Sequence, residues 1–243
     1  MRKTMNLVLL ITAAIAGTVA GAAAQTPPPS KKIFVDVNFG AQPASRTFST
    51  DAFPIVYGEV AIINANQGVD GSSFMDVTGG YRIWRDLSVA VGLTTTFTIK
   101  NVAEVTGGIP HPLFYDTRVQ SDVTVENLDH REQSAHLSVM WTSPVTDKMD
   151  ASVFFGPSYI KVFQDLVTSV NVPAGTQTFT ALSDQQTVTT WGFHIGGDVT
   201  YLFTPHVGAG ALVRYVKAQA DLPSVPDLDL AGFQIGGGVR VRF

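Results

Sequence analysis

The stretch AHLSVMW, Ala135 to Trp141, places His136 and Ser138 two residues apart, on one face of the segment if it is extended. An imidazole beside a serine hydroxyl is the beginning of a nucleophilic pair. Such a pair needs a carboxylate to orient the ring, and Glu132 has the right parity. A second set of residues could do electrostatic rather than covalent work. Asp36, Asp76, Glu132, Asp150 and Asp198 share even numbering with Arg82, Arg214, Arg240 and Arg242, and His136 and His194 fall among them. Gathered inside one enclosure, ions are stable only when paired and hydrogen-bonded, so this set reads as a structural charge network that fills space. Glycine pairs such as Gly79-Gly80 and Gly196-Gly197 could cradle a phosphate only at the start of a helix, and none opens one. Cysteine is absent, which excludes thiolate nucleophiles, thiolate metal sites and disulfides. No metal site and no cofactor is expected, since no acidic spacing matches a calcium-binding loop.

Strands must position these residues. Eight segments alternate with large apolar groups at odd positions: Ile33 to Ala41, Ser73 to Trp84, Leu87 to Thr98, Arg131 to Trp141, Met149 to Val162, Val188 to Tyr201, Val207 to Ala218 and Gly232 to Phe243. The connections at 85–86, 142–148 and 202–206 are short, whereas 42–72, 99–130, 163–187 and 219–231 are long. A two-sheet sandwich also alternates, but the even face here repeats Ser88, Ala90, Gly92 and Thr94, or Gly236 and Gly238. These side chains are too small to fill a core between sheets. The large odd face is therefore the outside. The expected fold is all-β, an eight-stranded antiparallel transmembrane up-and-down β-barrel with even residues inside and odd residues on lipid. Trp84, Trp141, Tyr201, Phe203 and Phe243 then mark the short-turn rim, and Phe97, Tyr159, Trp191, Tyr215 and Phe233 the long-loop rim. On this reading Ile195 meets lipid, and Gly196→Ser beside it, on the lumen side, should cost less than Ile195→Arg.

The chain opens with Arg2 and Lys3, an apolar run to Ala20 and the small residues Ala22-Ala23-Ala24, the pattern of an export signal cleaved after Ala24. Residues 1–24 are thus expected to be a signal peptide, 25–32 a lead-in and 33–243 an outer-membrane barrel. Of 243 residues 45% are apolar and only 15% charged, too hydrophobic for disorder. Twenty acidic against sixteen basic residues give the wrong sign for nucleic-acid binding, so no such partner is expected. The four long connections carry thirteen acidic and three basic residues, and so most of the negative charge.

In these features the chain resembles the small eight-stranded outer-membrane barrels of the outer-membrane protein A and X type, over residues 31 to 243. Its most specific piece is the ending GVRVRF, in which Gly238, Val241 and Phe243 match the terminal strand read by the barrel-assembly machinery. The resemblance implies an outer-membrane location, contact with outer-membrane lipid and lipopolysaccharide, and insertion through that machinery. It does not imply peptidoglycan anchoring, because no periplasmic domain is expected after Phe243. The His-x-Ser pair is similar to that of the outer-membrane lipid A deacylases, which would make the protein a hydrolase, although the parity turns both groups toward the lumen.

The expected function is non-enzymatic, a role in envelope structure or in surface interaction through long acidic external loops whose ligand the sequence does not name. A narrow channel for small or apolar solutes and a lipid A deacylase are the alternatives. Around the periplasmic rim, Asp36, within a residue or two of Arg240 on the closing strand, should pair with it, and Arg82, Asp150 and Asp198, with Arg242 as a further candidate, should complete the layer beneath a looser one of Asp76, Glu132, His136 and Arg214.

Overall fold

Alternating residues with β-branched and aromatic side chains on one face favour extended chain, and in the computed structural model nearly the whole described chain is extended. It describes residues 31–43, 45–222, 225–230 and 232–243, so the expected signal peptide and most of the lead-in lie outside the described residues. Among these the strands are β1 (Ile33–Gln42), β2 (Arg46–Ala52), β3 (Ile55–Val56), β4 (Glu59–Val60), β5 (Ile62–Val69), β6 (Ser72–Trp84) and β7 (Leu87–Thr96). They continue with β8 (Ile99–Pro110), β9 (Arg118–Thr146), β10 (Met149–Asn171), β11 (Thr180–Leu202), β12 (Val207–Leu222), β13 (Val225–Asp229) and β14 (Gly232–Arg242).

Eight of them close a ring. The antiparallel ladder runs β1, β6, β7, β9, β10, β11, β12, β14 and back to β1. These are the eight segments read from the sequence. The closing register sets Asp36 opposite Arg240, and the Ile33 and Phe243 backbones exchange hydrogen bonds. A closed ladder satisfies every strand's backbone groups and leaves no edge in lipid.

The long connections are not loops. They build a second storey on the first: β9, β10, β11 and β12 run on beyond the ring, and β8, β5 and β2 add to the extended β9 in that order. On the other side β13 pairs the extended β12, and it lies beside β2 without a shared ladder. Thus β8, β5, β2 and β13 stand above β7, β6, β1 and β14. Strand β9 has 29 residues, a length of roughly 95 Å at about 3.3 Å per residue. That is far more than an apolar band of about 25 Å can cover even at a tilt of about 45°.

The second storey has its own core. Ala61, Ile63, Ala65, Ala103, Val105, Ile109, Leu128, Val167 and Phe179 are buried together. In β5 and β8 the inward residues are odd, the reverse of the ring below. The register shift at Asn101/Ala103, with Asn127 in the left-handed region, changes the parity along β9, and the shift at Val167/Ser169 interrupts it along β10.

Candidate functional site

Even residues of the ring strands point inward, and three levels of polar groups fill the lumen. At the short-turn rim, Asp36 takes a close ion pair from Arg242, and Arg240 lies 3.9 Å away. Arg240 is fully buried and gives its close ion pair to Asp198, whose carboxylate also accepts from the Thr200 hydroxyl at 2.8 Å. Arg240 thus keeps its sequence-based partner Asp36 as the longer of two ion pairs and adds a closer one, Asp198. Its guanidinium reaches past β12 to β11, and Gly210 makes this possible, because a Cβ there would sit 2.6 Å from Arg240 Nε. Arg82 and Asp150 are half-buried at the edge of this layer: neither makes a close ion pair among the described residues, but Asp150 lies within the electrostatic reach of Arg242 and Arg82. Each sits beside a register shift, at Arg82/Trp84 and Met149/Asp150, that breaks the regular ladder at the rim.

At mid-depth the serines and histidines form one chain. Ser138 Oγ lies 2.8 Å from His194 Nε2, His194 Nδ1 lies 2.9 Å from Ser158 Oγ, and Ser158 Oγ lies 2.9 Å from His136 Nδ1. His136 and Ser138 are thus not each other's partner, and Glu132 does not orient His136. Phe154 lies against His194, its ring centroid 6.0 Å away, and joins Leu212, Met140 and Phe34 in one buried cluster that runs down toward the rim, and a cavity of about 20 Å³ remains beside Ser138, Asn38 and Asp198. Phe154 lies against Gly196, where a Cβ would come 2.5 Å from the ring and 2.5 Å from the Val213 carbonyl. The small face is therefore a set of notches for large inward groups. It is not free space, and a serine at Gly196 meets both the Phe154 ring and a backbone oxygen.

Higher still, Asp76 accepts from Arg214 at 3.1 Å, Thr94 at 2.7 Å, Thr78 at 3.1 Å and Asn38 at 3.2 Å. Arg214 donates onward to Gln234 at 2.8 Å, Gln234 to Gln42 at 2.8 Å, and Gln42 to Glu132 at 3.3 Å. Glu132 also accepts from Arg46 at 2.8 Å and lies 3.2 Å from His130, whose other ring nitrogen is 2.6 Å from Gln164. This layer is tightly bonded, and not looser as the sequence suggested. Gln42, Gln164 and Gln234 could have been found by extending the even-parity rule to amides. Arg46 could not, because it comes from a segment read as a loop.

The outer face completes the picture. Phe39, Val91, Leu93, Leu137, Phe155, Ile195, Val213, Ile235 and Val239 are exposed around the ring. Aromatic groups flank them: Trp84, Trp141 and Tyr201 on one side, and the pairs Tyr159–Trp191 and Tyr215–Phe233, with centroids 5.2 and 4.9 Å apart, on the other. A closed ladder wearing an apolar belt between two aromatic girdles has only lipid for a solvent. The chain is an outer-membrane-type β-barrel.

Solved structures of the same kind are similar to it. Neisserial surface protein A shares 19% identity and a TM-score of 0.45, over 87% of this chain and 97% of the other. The outer membrane protein OprG from Pseudomonas aeruginosa shares 11% and 0.47, over 88% and 96%. The outer membrane protease OmpT from Escherichia coli shares 7% and 0.48, over 90% and 99%. At these identities the likeness concerns the strand plan alone. No protein-family model and no curated protein matches the chain.

The barrel's terminal residues are also placed by geometry. Gly238 has the Val37 carbonyl so close that a Cβ would fall 1.8 Å from it, and Phe243 is an exposed ring at the rim. The residues read as an assembly signal thus include one, Gly238, whose identity the ladder itself demands.

Proposed function

We propose that the barrel is a non-enzymatic surface-interaction protein of the outer membrane, a filled ring that raises a folded external storey and presents its apex to a protein partner. The observation that carries this reading is the apex itself. Leu113, Phe114 and Tyr115 are 82%, 62% and 87% exposed, and Phe53, Ile55 and Val60 stand exposed on the adjoining segments. The backbone beneath them is fixed. The Tyr57 hydroxyl donates to the Thr176 carbonyl at 2.9 Å and accepts the Thr176 N–H at 3.1 Å, and the Asp116 N–H donates to Glu59 at 3.2 Å. Tyr57 and Asp116 are held at φ of 53° and 58°, a conformation that non-glycine residues adopt only at a cost. Exposed aromatic groups on a preorganised frame lose little entropy on binding. Around them Asp51, Glu59, Asp116 and Asp122 outnumber Arg118, so the complementary partner is a protein surface with an apolar pocket rimmed by lysine and arginine.

The filled lumen supports the non-enzymatic part. Each serine–histidine contact is buried among Phe154, Met140 and the ion pairs, and among the described residues no carboxylate hydrogen-bonds either ring. The same filling speaks against a channel. In a planar bilayer the protein should give no conductance steps; regular steps in the wild type would favour the channel.

Cells displaying the wild type should adhere to surfaces coated with basic proteins. The combined change Leu113→Ser, Phe114→Ser and Tyr115→Ser should remove most of that adhesion at equal surface display. Unchanged adhesion would overturn the assignment of the apex.

A further inference from the structure

Two cations on the barrel's outer face have no counter-ion among the described residues. Arg131 on β9 and Lys161 on β10 flank Phe163, with charged groups 4.7 and 4.8 Å from the ring centroid. The register explains the cluster: Arg131 lies opposite Phe163, and Lys161 opposite Gln133, all at odd, outward positions. Among the described residues neither cation makes an ion pair or a hydrogen bond. The carboxylate next along β10, Asp165, is turned elsewhere: it accepts the Asp129 N–H at 3.0 Å and the Gln185 amide at 3.3 Å.

Their depth is informative. Met149 is level with Tyr201 at the short-turn girdle, and Tyr159 is paired with Trp191 at the other. From Met149 to Tyr159 the strand climbs roughly 23 Å at a tilt of about 45°, which is close to the apolar band of about 25 Å. Lys161 and Phe163 are the next two outward residues of β10, so the cluster stands just outside the aromatic girdle, where acyl chains give way to headgroups. Thr187 and Thr189 of β11 flank it with exposed hydroxyls, opposite Phe163 and Lys161.

We propose that Arg131, Lys161 and Phe163 form a binding site for the phosphate of an anionic glycolipid in the external leaflet. The two cations take the phosphate oxygens, and the Phe163 ring lies between their stems and continues the apolar belt upward to the first acyl carbons. Cations without a counter-ion among the described residues and stationed at a headgroup plane gain most from an anionic lipid. The site is independent of the apex and of any partner bound there.

The test is the thermal unfolding of the full-length folded barrel, read by heat-modifiable gel mobility in neutral-detergent micelles, against increasing added phosphorylated lipid A. Dephosphorylated lipid A and inorganic phosphate are added in parallel arms. The wild type should be stabilised by phosphorylated lipid A alone, and the variant Arg131→Gln/Lys161→Gln should need about tenfold more lipid for the same shift. The variant Arg131→Lys should keep most of the response, which separates lost charge from lost folding. Stabilisation by inorganic phosphate to the same degree would make this a free-anion site and overturn the lipid assignment. Equal stabilisation by the dephosphorylated lipid, or an unchanged response in the double glutamine variant, would overturn the site.

Discussion

Arg240 is the residue on which the lower lumen turns. It is fully buried, holds Asp198 in a close ion pair and stands 3.9 Å from Asp36, which Arg242 binds from the other side. Removing one member of a dry pair leaves a charge without a counter-ion, at a cost of about 3 to 5 kcal/mol. Arg240→Ala is therefore expected to destabilise more than Arg242→Ala, because the Arg242 side chain is 16% exposed and water can replace part of it. In urea titrations of the refolded protein, the double change Arg240→Ala/Asp198→Ala should cost clearly less than the sum of its parts. Additivity there would mean that the pair contributes no coupling. Gly210→Val should mimic the loss of Arg240, since its side chain would occupy the path the guanidinium takes. That such ions lie inside was legible from their even parity. So was Asp36 beside Arg240; the closer pairing of Arg240 with Asp198 was not, because an arginine side chain spans two strands when a glycine lies between, and cross-strand register alone cannot show that reach.

Strand β11 displays the two faces most plainly. Ile195 is 56% exposed on the lipid face, and arginine in its place near the bilayer midplane should cost about 2 to 4 kcal/mol. Gly196→Ser on the opposite face should also be costly, because the new Cβ meets both the Phe154 ring and a backbone oxygen. Equilibrium unfolding in micelles checks both, and a neutral Gly196→Ser would show that Phe154 can move aside. Strand β14 carries a different expectation. Phe243 is an exposed rim residue, so its deletion should slow insertion in cells, read as the folded fraction on a gel, with little change in the stability of barrel already folded. Insertion at the wild-type rate would remove the terminal phenylalanine from the assembly signal. The eight ring strands were legible because parity runs unbroken through the stretches that cross the apolar belt, the register shifts falling at the rim or above the ring. Strands β5 and β8 were not, although Ile63, Ala65 and Val69 alternate as clearly as Val89, Val91 and Leu93 do. Their buried face is odd, as the lipid face is below, and the bulges that reverse the parity leave only a faint mark in sequence.

At the scale of the molecule, one ring is closed by a ladder and the storey above it is not. Where β1 and β14 exchange hydrogen bonds along their length, β2 and β13 only lie side by side. Consequences for time scale follow from that difference. Amide protons locked in a closed ladder exchange with solvent only when the barrel opens as a whole, whereas those along an unladdered edge need only a local excursion. In deuterium-uptake measurements on the micelle-bound protein, amides of β1 and β14 should therefore stay protected longest. Among residues 46–52, protection should be confined to alternate amides, those directed at β5, with their neighbours exchanging orders of magnitude sooner. The upper storey would then loosen from this seam outward while the ring beneath keeps its protons, so the two halves of one continuous sheet would run on separate clocks.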